Sequence, residues 1–251
     1  IGAYGNDGNG AKSGHVRIYQ NVGGSWTQVG SDIDGEAVGD RSGYSVSLSS
    51  DGSVVAIGAP GNDGSNATNR VHDSGHVRIY QNVGGSWTQV GSDIDGEAAG
   101  DTSGETSEAR SMSVSLSSDG SVVAIGAPRN DGNGERSGHV RIYQNINGTW
   151  TKIGDDIYGE AARDYSGSSV SLSSDGSVVA IGAPYNVSSV RGNRGHVRIY
   201  ELKSGLNQTP TAITLSSTSL NETIAGGSTV ATLSTTDPDS SDTHTYSLVT
   251  G

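Results

Sequence analysis

The chain has no cysteine and no phenylalanine, one methionine, five prolines and no apolar run near the ~20 residues that span a bilayer. The first absence excludes a disulfide framework. The last excludes a membrane-crossing helix, and no signal peptide is visible. Basic residues are scarce too: 15 Lys and Arg stand against 27 Asp and Glu, a net charge of −12. A nucleic-acid surface needs a basic face that displaces counterions, so that partner class is excluded. The acidic balance leaves carboxylates for divalent cations. What the chain has in quantity is glycine, 39 of 251 residues, with abundant Ser, Thr, Val, Ile and Ala. That composition suits short strands joined by tight turns.

The dominant feature is an internal repeat. Gly-His-Val-Arg-Ile-Tyr occurs four times, with its histidine at 15, 76, 139 and 196, hence 61, 63 and 57 residues apart. A sixteen-residue segment, Ser-Val-Ser-Leu-Ser-Ser-Asp-Gly-Ser-Val-Val-Ala-Ile-Gly-Ala-Pro, starts at Ser45, Ser113 and Ser169, and Trp26, Trp87 and Trp150 mark a third common position. Each unit reads as four strands. Ser45–Ser49 alternates with period two. Asp51-Gly52 is a two-residue hairpin signal, because both central positions favour φ > 0. Val54-Val55-Ala56-Ile57 is apolar on both faces, the pattern of a strand covered on both sides, and Pro60 ends it. His76–Tyr80 alternates again, and the fourth strand runs from Ser86 to Val90 around Trp87. Repeated four-stranded antiparallel units of ~60 residues with shielded inner strands are what β-propeller blades require. A solenoid is the alternative, although its units are commonly shorter. The fold class expected is all-β: propeller blades over 1–204, a linker over 205–210 at Asn207-Gln208-Thr209-Pro210, and the start of a β-sandwich over 211–251.

The fourth unit runs into Glu201-Leu202-Lys203 without a Trp-bearing strand, and the chain opens at Ile1-Gly2-Ala3, a triplet found mid-repeat elsewhere. The sequence therefore reads as part of a longer chain whose earlier residues supply a closing strand.

Ser42-Gly43-Tyr44-Ser45-Val46 with Ile57-Gly58-Ala59-Pro60, and Ser166-Gly167-Ser168-Ser169-Val170 with Ile181-Gly182-Ala183-Pro184, resemble the FG-GAP repeats of integrin α-subunit propellers. Ser replaces the Phe of the namesake motif. That family's calcium loop is shortened here to Ser-Ser-Asp-Gly, so its calcium sites are not carried over. From Ala212 onward, Ile213-Thr214-Leu215, Asn221-Glu222 and Asp237-Pro238-Asp239-Ser240-Ser241-Asp242 resemble the start of a cadherin-like domain. That resemblance implies Ca²⁺ on Glu222, Asp237 and Asp239, with Asp242 as a further ligand; a solvated acidic turn is the other reading.

The four histidines recur with the scaffold, which favours a structural role, since a single active site breaks repeat symmetry. The tryptophans read as packing between units. The loop Asn6-Asp7-Gly8-Asn9 and its copies at Asn62 and Asn130 read either as turns or as cation loops. Asn-x-Ser/Thr sequons stand at Asn66, Asn147, Asn186, Asn207 and Asn221, to be modified only in a glycosylating secretory source. Taken together, these features lead to the expectation of a non-catalytic extracellular or cell-surface module for adhesion or ligand binding, with a protein or glycan partner. A fibre subunit associating with copies of itself is the alternative, and a catalytic propeller the third reading.

Overall fold

The computed structural model describes residues 1–63, 74–97, 112–186, 195–202, 212–215 and 232–236. All regular elements among them are strands. The chain divides into two compact units, Ile1–Gly205 and Leu206–Gly251. The first holds four successive repeats. Repeat one contributes β1 (Gly2–Ala3), β2 (His15–Val16), β3 (Tyr19–Val22), β4 (Ser25–Gln28) and β5 (Ile33–Asp34). Repeat two contributes β6 (Ser45–Leu48), β7 (Val54–Ala59), β8 (His76–Val83), β9 (Ser86–Gln89) and β10 (Ile94–Asp95). Repeat three has β11 (Ser113–Leu116), β12 (Val122–Ala127), β13 (His139–Ile146) and β14 (Thr149–Tyr158), and repeat four has β15 (Ser169–Leu172), β16 (Val178–Ala183) and β17 (His196–Glu201).

The third repeat is the most complete, an antiparallel sheet in the order β11-β12-β13-β14. The second repeats it, with β9 and β10 both paired to β8 in place of one long strand. In the fourth, β17 pairs with β16 alone among the described strands. Each first hairpin turns on an Asp-Gly whose glycine (Gly52, Gly120, Gly176) has φ near +73° to +74°. The aspartate closes the turn. Asp51 Oδ1 accepts from Ser49 Oγ at 2.7 Å, from Ser53 N at 2.9 Å and from Ser53 Oγ at 2.8 Å, and the same set recurs at Asp119 and Asp175. Those donors hold the Asp51 and Asp175 carboxyls down to about 2, the Ser Oγ bond being the largest cause.

Every residue of β7 and β12 is buried, as an inner strand shielded on both faces requires. The alternation assigns each face a neighbour. Val16, Ile18 and Ile33 of repeat one pack with Val55, Ile57 and Tyr80 of repeat two. Val54, Ala56, Val77 and Ile79 of repeat two pack with Val114, Leu116, Val123 and Ile125 of repeat three. The sheets of repeats one and two thus turn the Val and Ile of their His-Val-Arg-Ile-Tyr strands toward the following repeat, and repeat two turns Arg78 and Tyr80 toward the preceding one.

Polar bonds fasten the same seams. Ser50 N donates to Ser118 O and Ser118 N to Ser174 O, both at 2.8 Å, which lines the first hairpins side by side. Trp87 Nε1 donates to Val29 O at 2.8 Å and Trp150 Nε1 to Val90 O at 2.9 Å, so each indole reaches the preceding repeat. Gly35, Gly96 and Gly159 are fixed by close approach: a Cβ there would lie 2.0 Å from the carbonyl oxygen of Ser13, Ser74 or Ser137. In the second unit, β18 (Ala212–Leu215) and β19 (Leu233–Thr236) form one antiparallel pair, and its described residues make no second sheet. The sandwich expected there is not shown.

Candidate metal centre at the seams between repeats

Period two places His76, Arg78 and Tyr80 on the face of β8 that looks toward repeat one. Two carboxylates converge on His76. Asp93, just before β10 of the same repeat, has Oδ2 3.6 Å from His76 Nδ1. Glu36, from the preceding repeat, has Oε1 3.1 Å from Arg78 Nη1. One donor atom from each of Glu36, His76 and Asp93 lies within 4.8 Å of the others. Arg78 is held in place independently, since its Nη2 donates to Asp34 O at 3.0 Å, and Gln89 Nε2 donates to Asp93 Oδ1 at 2.6 Å.

His76 is 1% exposed, and its Nε2 is buried without a hydrogen-bond partner. Burial pushes its pKa down, Arg78 pushes the same way, and the carboxylates of Asp93, Glu36 and Asp40 oppose them without reversing the shift. The shift favours the neutral imidazole, which has a lone pair to offer.

The motif steps along the chain. In the next seam Glu97, His139 and Asp156 meet in the same way, and burial again lowers the His139 pKa. There Arg141 contacts Glu97 and bonds Asp156 Oδ2 at 3.0 Å, while Lys152 Nζ lies 2.5 Å from Asp156 Oδ1. Asp156 titrates low because the Lys152 and Arg141 bonds outweigh the opposing effect of burial. Two carboxylates thus face two cations there, whereas in the Glu36–His76–Asp93 seam Arg78 pairs with Glu36 and Asp93 accepts from the neutral Gln89. In repeat one, His15 has Asp32 and Asp34 at 3.7 and 3.9 Å, and Arg17 forks onto Asp32. Asp32 titrates at about 2 through its bonds from Arg17 and Gln28. In the last seam Glu160 takes both His196 and Arg198.

A groove of about 380 Å³ is lined by Ser92, Asp93 and Asp95 of repeat two and by Tyr143, Thr149 and Trp150 of repeat three, so that Asp93 belongs both to it and to the His76 cluster. It is within the size range of small-molecule sites.

The sequence, in which the histidines read as structural, did not single out Asp93 or Asp156 as their partners. The signal was there: Asp32, Asp93 and Asp156 repeat in step with the histidines, while the acid two residues on becomes Tyr158. The acidic residues singled out for Ca²⁺, Glu222, Asp237, Asp239 and Asp242, lie outside the described residues, as do Asn66, Asn207 and Asn221. The Asn-Asp-Gly loops have the hydrogen bonds of turns. Asn6 Oδ1 accepts from Gly8 N at 2.7 Å, Asp7 Oδ1 from Lys12 N at 2.8 Å, and Asn9 Nδ2 donates to Gly35 O at 2.8 Å.

No family model and no curated protein matches the chain. Solved structures similar to it include a putative 6-phosphogluconolactonase from Bacteroides uniformis, 13% identical with a TM-score of 0.42, covering 74% of this chain and 51% of its own. A periplasmic gluconolactonase from Pseudomonas aeruginosa is 14% identical with a TM-score of 0.40, covering 67% of this chain and 43% of its own. The tricorn protease is 11% identical with a TM-score of 0.37, covering 71% of this chain and 15% of its own. The chain thus spans about half or less of the length of these proteins.

These findings correct the family readings. The structures that the chain is similar to are named as lactonases and a protease, not as integrin-type FG-GAP propellers or cadherin-like domains. The motifs that prompted the first reading report local geometry. Gly43 and Gly58 meet because Gly43 N donates to Gly58 O at 3.2 Å and Gly43 has φ 83°, a backbone conformation that favours glycine. Against the expectations of a non-catalytic adhesion module and of a chain that is not an enzyme, these structures are named as enzymes. No helix among the described residues is long and apolar enough to cross a membrane. What the chain shows by itself is an all-β array of repeats with His–carboxylate clusters able to hold a metal ion at its seams.

Proposed function

We propose that residues 1–205 are consecutive blades of a β-propeller serving a hydrolytic enzyme outside the cytoplasm, with a divalent cation bound at the Glu36–His76–Asp93 seam. The observation that carries this reading is a buried imidazole with Asp93 3.6 Å from its Nδ1 and Glu36, itself paired with Arg78, close enough to share an ion with both. The donor set fits a divalent ion. One nitrogen with two oxygens suits a transition metal such as Zn²⁺ or Mn²⁺ better than Ca²⁺, which prefers oxygen alone. Such an ion, when bound, polarises a carbonyl or lowers the pKa of a water. The chain's own part is to present the ligands: β8 fixes His76, Gln89 orients Asp93, and Arg78, anchored on Asp34 O, positions Glu36. Asp93 also lines the neighbouring groove, whose Tyr143 and Trp150 give a small polar substrate an aromatic wall.

The test is metal content and turnover together. The chelated chain is titrated with Zn²⁺, Mn²⁺ and Ca²⁺ by calorimetry, alongside His76→Ala and Asp93→Asn. Hydrolysis of a gluconolactone is then followed with and without metal. Saturable binding near one equivalent, lost in both variants, supports the site, and metal-dependent turnover supports the activity. Absence of saturable binding by any of the three ions overturns the site. Absence of turnover by the loaded chain overturns the hydrolytic part.

A further inference from the structure

The hairpin between β13 and β14 differs from its sister hairpins at its tip. In repeats one and two the tip reads Gly23-Gly24-Ser25 and Gly84-Gly85-Ser86, and in repeat three it reads Asn147-Gly148-Thr149. The backbone is the same, with φ of 60° and 59° at the two glycines and 52° at Asn147. The turn is capped elsewhere: Gly148 N donates to Asn145 Oδ1 at 2.8 Å, just as Gly24 N does to Asn21 and Gly85 N to Asn82. The Asn147 amide therefore has no part in closing the turn, and residues 147–149 are all exposed. The tip approaches the preceding repeat through the Gly148 carbonyl, beside Gly91. The sister hairpins already carry a hydroxyl at the third position, Ser25 and Ser86, and Asn147 alone adds the amide that completes an Asn-x-Ser/Thr acceptor.

We infer that Asn147 is the acceptor of an N-linked glycan when the chain passes through a glycosylating secretory pathway. In that reaction an Nδ2–H bond and the anomeric C–O bond of a lipid-diphosphate-linked oligosaccharide break. An Nδ2–C1 bond forms, and the lipid diphosphate and a proton leave. β14 is the edge strand of its sheet, so a bulky sugar at the tip has solvent around it. Of the other sequons, only Asn186 is described, and it is committed to the fold: half-buried, with Nδ2 donating to Asp164 Oδ2 at 2.9 Å.

The test secretes the full chain from a eukaryotic line behind an added signal sequence and reads site occupancy by peptide mass spectrometry after glycosidase release in heavy-oxygen water. Most secreted molecules should be labelled at Asn147. The label should vanish in T149A, which keeps the asparagine, and in N147G, which restores the sister hairpins' residue and their turn. A secreted wild-type chain with an unlabelled 147 peptide overturns the inference, and so does a label that survives T149A.

Discussion

Three isoleucines in identical sequence surroundings should respond to the same substitution in different ways. Ile79, Ile142 and Ile199 each occupy the fourth position of His-Val-Arg-Ile-Tyr, yet they are 1%, 2% and 71% exposed. Ile79 is packed by repeat three, whereas Ile199 lies on a face that no described strand covers. Removing a fully buried isoleucine side chain to Ala costs ~2–5 kcal/mol, as lost transfer energy plus a cavity, and an exposed one usually changes stability by about 0.5 kcal/mol or less. Ile79→Ala and Ile142→Ala should thus each cost about 3 kcal/mol, and Ile199→Ala under about 1 kcal/mol, since under a third of its side chain is buried. Urea titration of the full chain reads this, with Trp87 and Trp150 as fluorescent reporters inside the seams. Unchanged m-values confirm that midpoints track stability. Equal costs at all three positions in dilute solution would refute the assignment of faces.

The tryptophans extend the comparison. Trp87→Phe should cost about 1–2 kcal/mol, from the lost bond to Val29 O and lost contact, while Trp26→Phe, 71% exposed, should be neutral in the same titration. Gly96→Ala should destabilise severely, because its Cβ would meet Ser74 O at 2.0 Å, and Gly5→Ala, with nothing within 4 Å, should not; a thermal melt separates them. Acid should weaken the hairpin turns. The Asp51 and Asp175 carboxyls sit at about 2 in the folded chain against 3.8 unperturbed, so their contribution is complete above the unfolded value and is lost as pH falls from 3.8 through 2. Asp51→Asn together with Asp175→Asn should flatten the acid limb of a stability–pH curve, and an unaltered limb would show that these turns do not govern it.

Much of the local structure was legible because it depends on near neighbours. Asp51-Gly52 had to turn. Val54-Val55-Ala56-Ile57, apolar at successive positions, needed cover on both faces, and all of β7 is buried. His76 and its counterparts begin strands because alternation starts there. The site was less legible. Asp93 reaches His76 by pairing of β10 with β8, and Glu36 arrives from another repeat, so no local window contains the cluster. The family resemblance rested on Ser-Gly and Gly-Ala-Pro, which in this chain serve a tight turn at Gly43 and the end of β7.

The sequence by itself determined the period, the strands within it and which side chains share a strand face, because those follow from alternation and turn chemistry over a few residues. Only the tertiary structure decided which face is covered. Val77 and Val197 stand in the same motif, the first fully buried and the second 67% exposed. Burial belongs to the neighbouring sheet and not to the residue, and so does the balance of carboxylates and guanidiniums at each seam.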